Sequence, residues 1–163
     1  MKKKRRMSAL SEYGKELREK QKLKNWYNLR ERQLENYVKD NPSPDLLIQV
    51  LESRFDNVIL RLGLAHSRVQ ARQNVSHGHF LINGRPVNLP SYQLKKGDKI
   101  TLNPASQKKK AFSNLTPLLK KHQAPAWLKL DAESLGGEVV GVPTFEEAAP
   151  PAEISTIFEY YSR

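Results

Sequence analysis

Between Ser43-Pro44 and Gly63 the chain carries Leu47, Val50, Leu51, Phe55, Val58, Ile59 and Leu62, recurring at intervals of three and four. That spacing puts every apolar side chain on one face of a helix. Pro44 suits a first helical position, because the N–H it lacks would be unsatisfied there. Gly63 supplies the left-handed residue that commonly ends a last turn. The spacing predicts one helix from Pro44 to Leu62 with a buried stripe. Arg54 and Arg61 are seven apart and so within about 20° of each other on the wheel. They fall at the edge of the stripe, where stems can pack while guanidinium groups emerge at the surface.

The next stretch is shorter and more polar: "SRVQARQNVSHGHFLINGRPVN", residues 67–88. Ser67 with Gln70 reads as a capping box, Arg68 and Arg72 share a face that Ser76 continues, and Gly78 stops the helix. Phe80 and Ile82 alternate inward, Asn83-Gly84 supplies the two positive-φ residues of a type I′ turn, and "RPVNL" returns. A second turn, "KKGDK" (95–99), leads into "ITL" (100–102). Two helices and then a small antiparallel sheet make an α+β unit over roughly residues 45–105.

Upstream, Ser11 is placed as the N-cap of a helix through "SEYGKELREKQKLKNWY", and Asn28 with Glu31 as a capping signal for a second, "LRERQLENYVKD". Trp26, Tyr27 and Tyr37 are read as packing between these helices in preference to stacking on bases. "DNPSP" (40–44) breaks the chain. Downstream, "LTPLLKKHQAPAWLKLD" is expected to cover part of the sheet, "EEAAPPAE" to be a linker or surface turn, and "ISTIFEYYSR" a terminal helix anchored by Ile157, Phe158 and Tyr161.

Charge narrows the partner. Of 163 residues, 28 are Lys or Arg and 17 are acidic, a net +11. An excess of that size points to a polyanion, with nucleic acid first and an anionic membrane surface second. There is no Cys, which excludes disulfides and thiolate zinc sites. No apolar run approaches the roughly 20 residues needed to span a bilayer. The start has the positive residues of a signal peptide without its apolar stretch, so Lys2, Lys3, Lys4, Arg5 and Arg6 read as a basic arm, disordered in free solution. The last 33 residues carry seven carboxylates and a single Arg, so that end is expected to face something other than the polyanion.

Catalytic constellations are scarce. The phosphate-loop, dinucleotide and nucleophile-elbow motifs are absent. His77 and His79 form an H-x-H pair that would share one face of a strand, but no carboxylate nearby completes a metal site. Hydrogen bonding or phosphate contact is the better reading for them, and His66 and His122 are isolated. No catalytic residue, metal or cofactor is expected. The binding signals are stronger: Arg68 and Arg72 with Gln73, Ser76, His77 and His79 behind them, and Arg85, Lys95, Lys96 and Lys99 from adjoining turns. The planar guanidinium fork takes two phosphate oxygens at once and stays charged. The competing reading is a merely solvated basic face. Lys15, Arg18, Lys20, Lys22, Lys24, Arg30 and Arg32 extend the basic set along the first helices.

"LESRFDNVILRLGLAHSRVQARQNVSHGHFLINGRPVNLPSYQLKKGD" (51–98) resembles the RNA-binding module named after the fourth protein of the small ribosomal subunit. The flanks, "SEYGKELREKQKL", "ERQLENY", "PAWLKLD" and the terminal "EYYSR", resemble the bacterial-type family of that ribosomal protein itself. The likeness runs from about Ser11 to Arg163. Family members usually carry a longer N-terminal segment, sometimes with a zinc-holding cysteine cluster; here "MKKKRRMSAL" stands in its place, and zinc is not carried over. Residues 136–153 are weaker and more acidic than the family's usual form.

The resemblance implies an α+β protein: a small helical domain with an inserted RNA-binding module of two helices packed on a small antiparallel sheet. The division expected is an arm (1–10), a helical domain (11–50, joined by 152–163), the module (51–115), and a sheet-covering segment and linker (116–151). It also implies a structural, non-catalytic constituent of the small subunit, cytoplasmic in a bacterium or housed in an organelle. Such a protein binds small-subunit rRNA at a multi-helix junction of the 5′ domain and nucleates assembly. It lies beside ribosomal proteins three and five, near the messenger RNA channel, with no membrane or small-molecule partner. Residue by residue, Arg54, Arg61, Ser67, Arg68, Arg72, Gln73, Ser76, His77, His79, Asn83, Ser91 and Tyr92 match the module's pattern. A free stress-response or regulatory RNA binder using the same module is the alternative. An RNA-modifying enzyme carrying the module as an appendage fails on length.

Overall fold

The computed structural model describes residues 11–163; the arm, with Lys2 to Arg6, lies outside the described residues. The chain forms two compact units, one of the described residues up to Pro44 together with Pro150–Arg163, the other Asp45–Ala149. The sequence-based boundary at residue 50 differs by assigning 45–50 to the first.

The first unit contains α1 (Glu12–Trp26), α2 (Glu31–Asp40) and, from the far end of the chain, α8 (Ile154–Tyr161). Ser11 caps α1 as expected, its hydroxyl accepting the Gly14 N–H at 3.1 Å. Asn28 does not open α2. It has φ 54°, and the Leu29 N–H reaches back to the Lys24 carbonyl at 2.9 Å. Asn28 is therefore the left-handed residue that ends α1, and a residue so used cannot begin the next helix. α2 starts after Arg30, whose N–H donates to the Gln33 side chain at 3.0 Å.

α8 lies along α1. Lys20, 3% exposed, donates to Glu31 at 2.7 Å and sits 4.9 Å from the centre of the Tyr160 ring. Tyr161 Oη donates to the same Glu31 at 3.0 Å. Burial pushes the Glu31 carboxyl up, but the bonds from Lys20 and Tyr161 outweigh it and hold the group below its ordinary range.

The second unit begins with a correction. The helix predicted from Pro44 to Leu62 is two, α3 (Pro44–Glu52) and α4 (Phe55–Arg61), separated by Arg54 in an extended conformation. The Phe55 and Asp56 N–H groups donate to the Tyr92 and Pro90 carbonyls at 2.9 and 3.1 Å, and Leu94 N–H donates to the Ser53 carbonyl at 2.9 Å. Segment 90–94 thus takes the backbone bonds that a continuing helix would have made internally. The apolar spacing survives the break, with Phe55, Val58, Ile59 and Leu62 all fully buried.

α4 and α5 (Arg68–Ser76) end alike. Gly63 (φ 82°) sends its N–H to Leu60 and Leu64 to Ile59; Gly78 (φ 76°) bonds Val75, and His79 bonds Asn74. These are Schellman closures, and both glycines fall where the sequence put them. Asn83 (φ 52°) and Gly84 (φ 79°) make the hairpin turn between β1 (Phe80–Ile82) and β2 (Arg85–Pro86). β3 spans Lys99–Leu102.

The segment expected to cover part of the sheet does so through Leu115, Leu119 and Trp127, which join its core, and the chain beyond also extends the sheet. β4 (Leu128–Asp131) and β5 (Gly136–Val139) complete an antiparallel order β2-β1-β3-β5-β4. Two adjacent glycines let β5 enter. A side-chain carbon on Gly136 would overlap the Ile100 carbonyl, and one on Gly137 would meet the Leu62 side chain at 2.6 Å. The inner face of the sheet, with Phe80, Ile82, Ile100, Leu102, Leu128 and Val139, packs in one core with α4, α5 and Leu115 and Leu119 of α6 (Leu115–Lys121). A short helix, α7 (Phe145–Ala148), ends the unit.

Candidate nucleic-acid interface

Burial and pairing divide the candidate cations into two kinds. Arg54 is 1% exposed, and its guanidinium does not emerge at the surface as the single-helix reading required. Its Nε and Nη2 donate to the two carboxylate oxygens of Asp56, each at 3.1 Å. Arg61 is half-buried and donates to both oxygens of Glu52 at 3.0 and 2.7 Å. Glu52 also accepts from the Asn57 amide at 2.7 Å, and Asn57 Oδ1 accepts from Arg68 Nε at 3.2 Å. This network pins α3, α4 and the start of α5 together. A buried carboxylate without such partners would carry a large desolvation penalty, so each arginine here has a structural task. Sequence reasoning missed this arrangement; the signal available was the carboxylate two residues after Arg54.

Outside that network the groups face solvent. Ser67, Gln73, Ser76, His77, Arg85, Ser91, Tyr92, Lys95, Lys96 and Lys99 are exposed, and Arg72 is half-buried. Among the described residues none of Arg72, Arg85, Lys95, Lys96 and Lys99 forms an ion pair. Asn83 fixes the turn that carries three of the lysines: its amide donates to Asp98 at 3.0 Å and its oxygen accepts the Lys99 N–H at 2.9 Å. Asp98 in turn accepts the Lys95 N–H at 2.8 Å. Asn83 therefore organises the basic turn from the hairpin tip.

His77 and His79 do not share a strand face. They flank Gly78 just before β1, with ring centres 6.0 Å apart. His77 is exposed, whereas His79 is half-buried, with Nδ1 2.8 Å from Ser106 Oγ and its ring edge-on to Phe112 at 5.1 Å. Burial first, then the charges of Lys109 and His77, push the His79 imidazolium below its ordinary range. Among the described residues no group of three His, Asp or Glu side chains gathers closely enough to hold a metal ion.

The outer face of the sheet is mixed in sign. Register sets Glu138 of β5 directly between Lys99 of β3 and Lys129 of β4. The predominantly basic surface is therefore the one around α5, the hairpin and the 95–99 turn, where Asp98 is taken up by Asn83 and the Lys95 N–H. In the first unit Lys15, Lys20, Lys22 and Lys24 are engaged with Glu12, Glu31 and Glu19. Arg18, Arg30 and Arg32 are exposed and in no ion pair among the described residues. Tyr27 is buried as expected, while Trp26 keeps 37% of its surface.

Cations in no ion pair among the described residues, beside exposed hydrogen-bonding side chains, can bind phosphates and 2′-hydroxyls of structured RNA. Comparison with known proteins agrees in kind. Residues 53–100 match the family model described as the S4 domain, and residues 1–47 match the ribosomal protein S4/S9 N-terminal domain. The small ribosomal subunit protein uS4 of Chloroflexus aurantiacus is 43% identical over 165 residues, covering 97% of this chain and 80% of the relative. Its counterpart in Halothermothrix orenii is 42% identical, covering 98% and 79%, and that of Thermotoga petrophila is 40% identical, covering 97% and 78%. Likeness of that extent, through both units and across the α5–hairpin surface, means that the chain belongs to the small ribosomal subunit protein uS4 family.

Proposed function

We propose that the chain is a structural constituent of the small ribosomal subunit that binds small-subunit rRNA directly and performs no turnover. The rRNA site is a multi-helix junction in the 5′ domain, where early binding nucleates assembly. The bound protein lies near the channel by which messenger RNA reaches the subunit, beside ribosomal proteins three and five, in the cytoplasm. Membership of the uS4 family supports the ribosomal setting. No helix among the described residues is long and apolar enough to cross a membrane.

The observation that carries the reading is the division of cations. Arg54 and Arg61 are consumed by Asp56 and Glu52, while Arg72, Arg85, Lys95, Lys96 and Lys99 form no ion pair among the described residues. Clustered like charges repel, and a polyanionic partner is what offsets the repulsion. Shape and backbone recognition of folded RNA asks for a surface of this kind, with no deep pocket.

The test is twofold. The protein should co-sediment with small ribosomal subunits in high salt, and it should retain a transcript of the 5′ domain on a filter in preference to an unrelated structured RNA of equal length. Equal retention of both RNAs, together with release from subunits in high salt, would overturn the reading in favour of a free RNA binder.

A further inference from the structure

A second run of cations, Lys108, Lys109 and Lys110, lies outside the α5–hairpin surface. All three are exposed, and among the described residues none lies within ion-pair distance of a carboxylate. A lysine run on a loop is ordinarily a solvated face, and a loop that only connects two elements has no use for a fixed shape.

This loop is fixed along its length. Asn103 N–H donates to the His79 carbonyl at 2.7 Å, its amide donates to the Gly78 carbonyl at 3.4 Å, and its side-chain oxygen accepts the Ala105 N–H at 3.1 Å. Ser106, 4% exposed, meets the His79 ring at 2.8 Å and accepts the Lys109 N–H on its carbonyl at 3.1 Å. Phe112, 3% exposed, stands edge-on to both His79 and Phe80 at 5.1 and 6.1 Å. Short 3-10 turns at Pro104–Ser106 and Lys110–Phe112 complete the frame. The lysines thus lie between two buried anchors, Ser106 and Phe112, both docked where α5 ends and β1 begins. Lys109 and the α5 cap residue His77 both bear electrostatically on His79, so the loop's charge reaches the end of α5.

Three like charges held together in an ordered loop repel one another, and among the described residues no carboxylate pairs with them. We propose that Lys108, Lys109 and Lys110 form a second phosphate-binding element, taking the sugar-phosphate backbone of an RNA strand that passes the C-terminal end of α5. The proposal rests on the reading of the chain as an rRNA-binding protein and widens its surface from α5 and the hairpin to the loop after β3. Lysines without fixed forks suit backbone contact; base readout is not expected of them.

The experiment measures binding of the full chain and of the triple variant Lys108→Gln, Lys109→Gln, Lys110→Gln to the 5′-domain transcript and to a generic double-stranded RNA, across a salt series. Each phosphate that is no longer neutralised lowers the slope of log affinity against log salt by roughly 0.7–0.9. The variant should lose roughly 2.1–2.7 units of slope on the transcript, with an unchanged melting temperature. In a second measurement, bound transcript should shield these three amines from acylation in the parent. A parent that binds both RNAs, with an unaltered slope in the variant and unshielded amines, overturns this proposal alone. A parent that binds neither RNA overturns the functional reading and this proposal with it.

Discussion

Arg54 and Asp56, two residues apart and each 1% exposed, face one another in a two-pronged ion pair at the point where α3 stops and α4 starts. The Asp56 oxygen that takes Arg54 Nε also accepts the Asn57 N–H at 2.7 Å, so the pair caps the first turn of α4 as well as closing the break. Removing one member of a buried pair leaves the other charged and uncompensated, which costs about 3–5 kcal/mol. Arg54→Ala is therefore expected to lose that much in a urea titration. Its affinity for the 5′-domain transcript, measured where the variant is fully folded, should match the parent's. A variant with parental stability and weakened binding would return Arg54 to the RNA surface.

Arg68 and Arg72 are one helical turn apart but are expected to behave differently. Arg68 is tied through Asn57 to the Glu52 network, whereas Arg72 projects from the same helix with no ion pair among the described residues. Arg68→Ala should cost about 1.5–3 kcal/mol, the range for unmaking a hydrogen bond to a charged group. Arg72→Ala should fall within roughly 0.5 kcal/mol in stability while weakening RNA binding about tenfold. Thermal melts paired with filter binding would separate the two, and equal effects on both readouts would show that the helix face is uniform.

Local chemistry made the helix ends legible. Gly63, Gly78 and the Asn83-Gly84 pair announce themselves because few other residues adopt positive φ, and each stands where the sequence placed it. The break at Arg54 was illegible for the converse reason. Leu51, Phe55 and Val58 keep helical intervals across it, and what interrupts the helix is backbone pairing with residues 90–94, some 40 positions away. Asn28 carried a capping signal valid for either end of a helix, and only the bond from Leu29 to Lys24 decides between them. β4 and β5 were hidden because Gly136-Gly137 lowers strand propensity, yet β5 can lie so close to β3 at Gly136 and to Leu62 at Gly137 only without side chains there. At the candidate site the residue types were readable, but the sorting of arginines into buried and exposed was not. That sorting depends on which carboxylates the fold brings beside them.

His79 sets a pH dependence. Its folded value lies below 6.5, because of burial and then the charges of Lys109 and His77, so the unfolded chain binds the proton more readily than the folded one. Stability from this group is complete above pH 6.5 and is lost as pH falls through the lower folded value. Melting temperature measured from pH 7.5 to 5 should decline in the parent, and this component should vanish in His79→Gln. The loop anchored on Ser106 should loosen in the same window, read as faster amide exchange at Lys109. Parallel pH profiles for parent and variant would rule this out.

The C-terminal residue closes the first unit by the opposite logic. Arg163 donates to Glu16 through Nε and Nη2 at 2.7 and 2.9 Å, and its guanidinium lies 5.8 Å from the centre of the Tyr13 ring. The hydrogen bonds from Arg163 hold the Glu16 carboxyl below its ordinary value of 4.5, outweighing the burial that would raise it. Stability from the pair is therefore fully present above pH 4.5 and is lost as pH falls through the lower folded value. Arg163→Ala and Glu16→Gln should each lower the melting temperature at pH 7, and both should flatten the fall of melting temperature between pH 5 and 3. Charge attraction at distance would fade in high salt, whereas a two-pronged bond to a buried carboxylate should persist in 1 M salt, where the Debye length is only about 3 Å. If either variant keeps the parent's acid profile, the Arg163–Glu16 pair contributes nothing to holding α8 on α1.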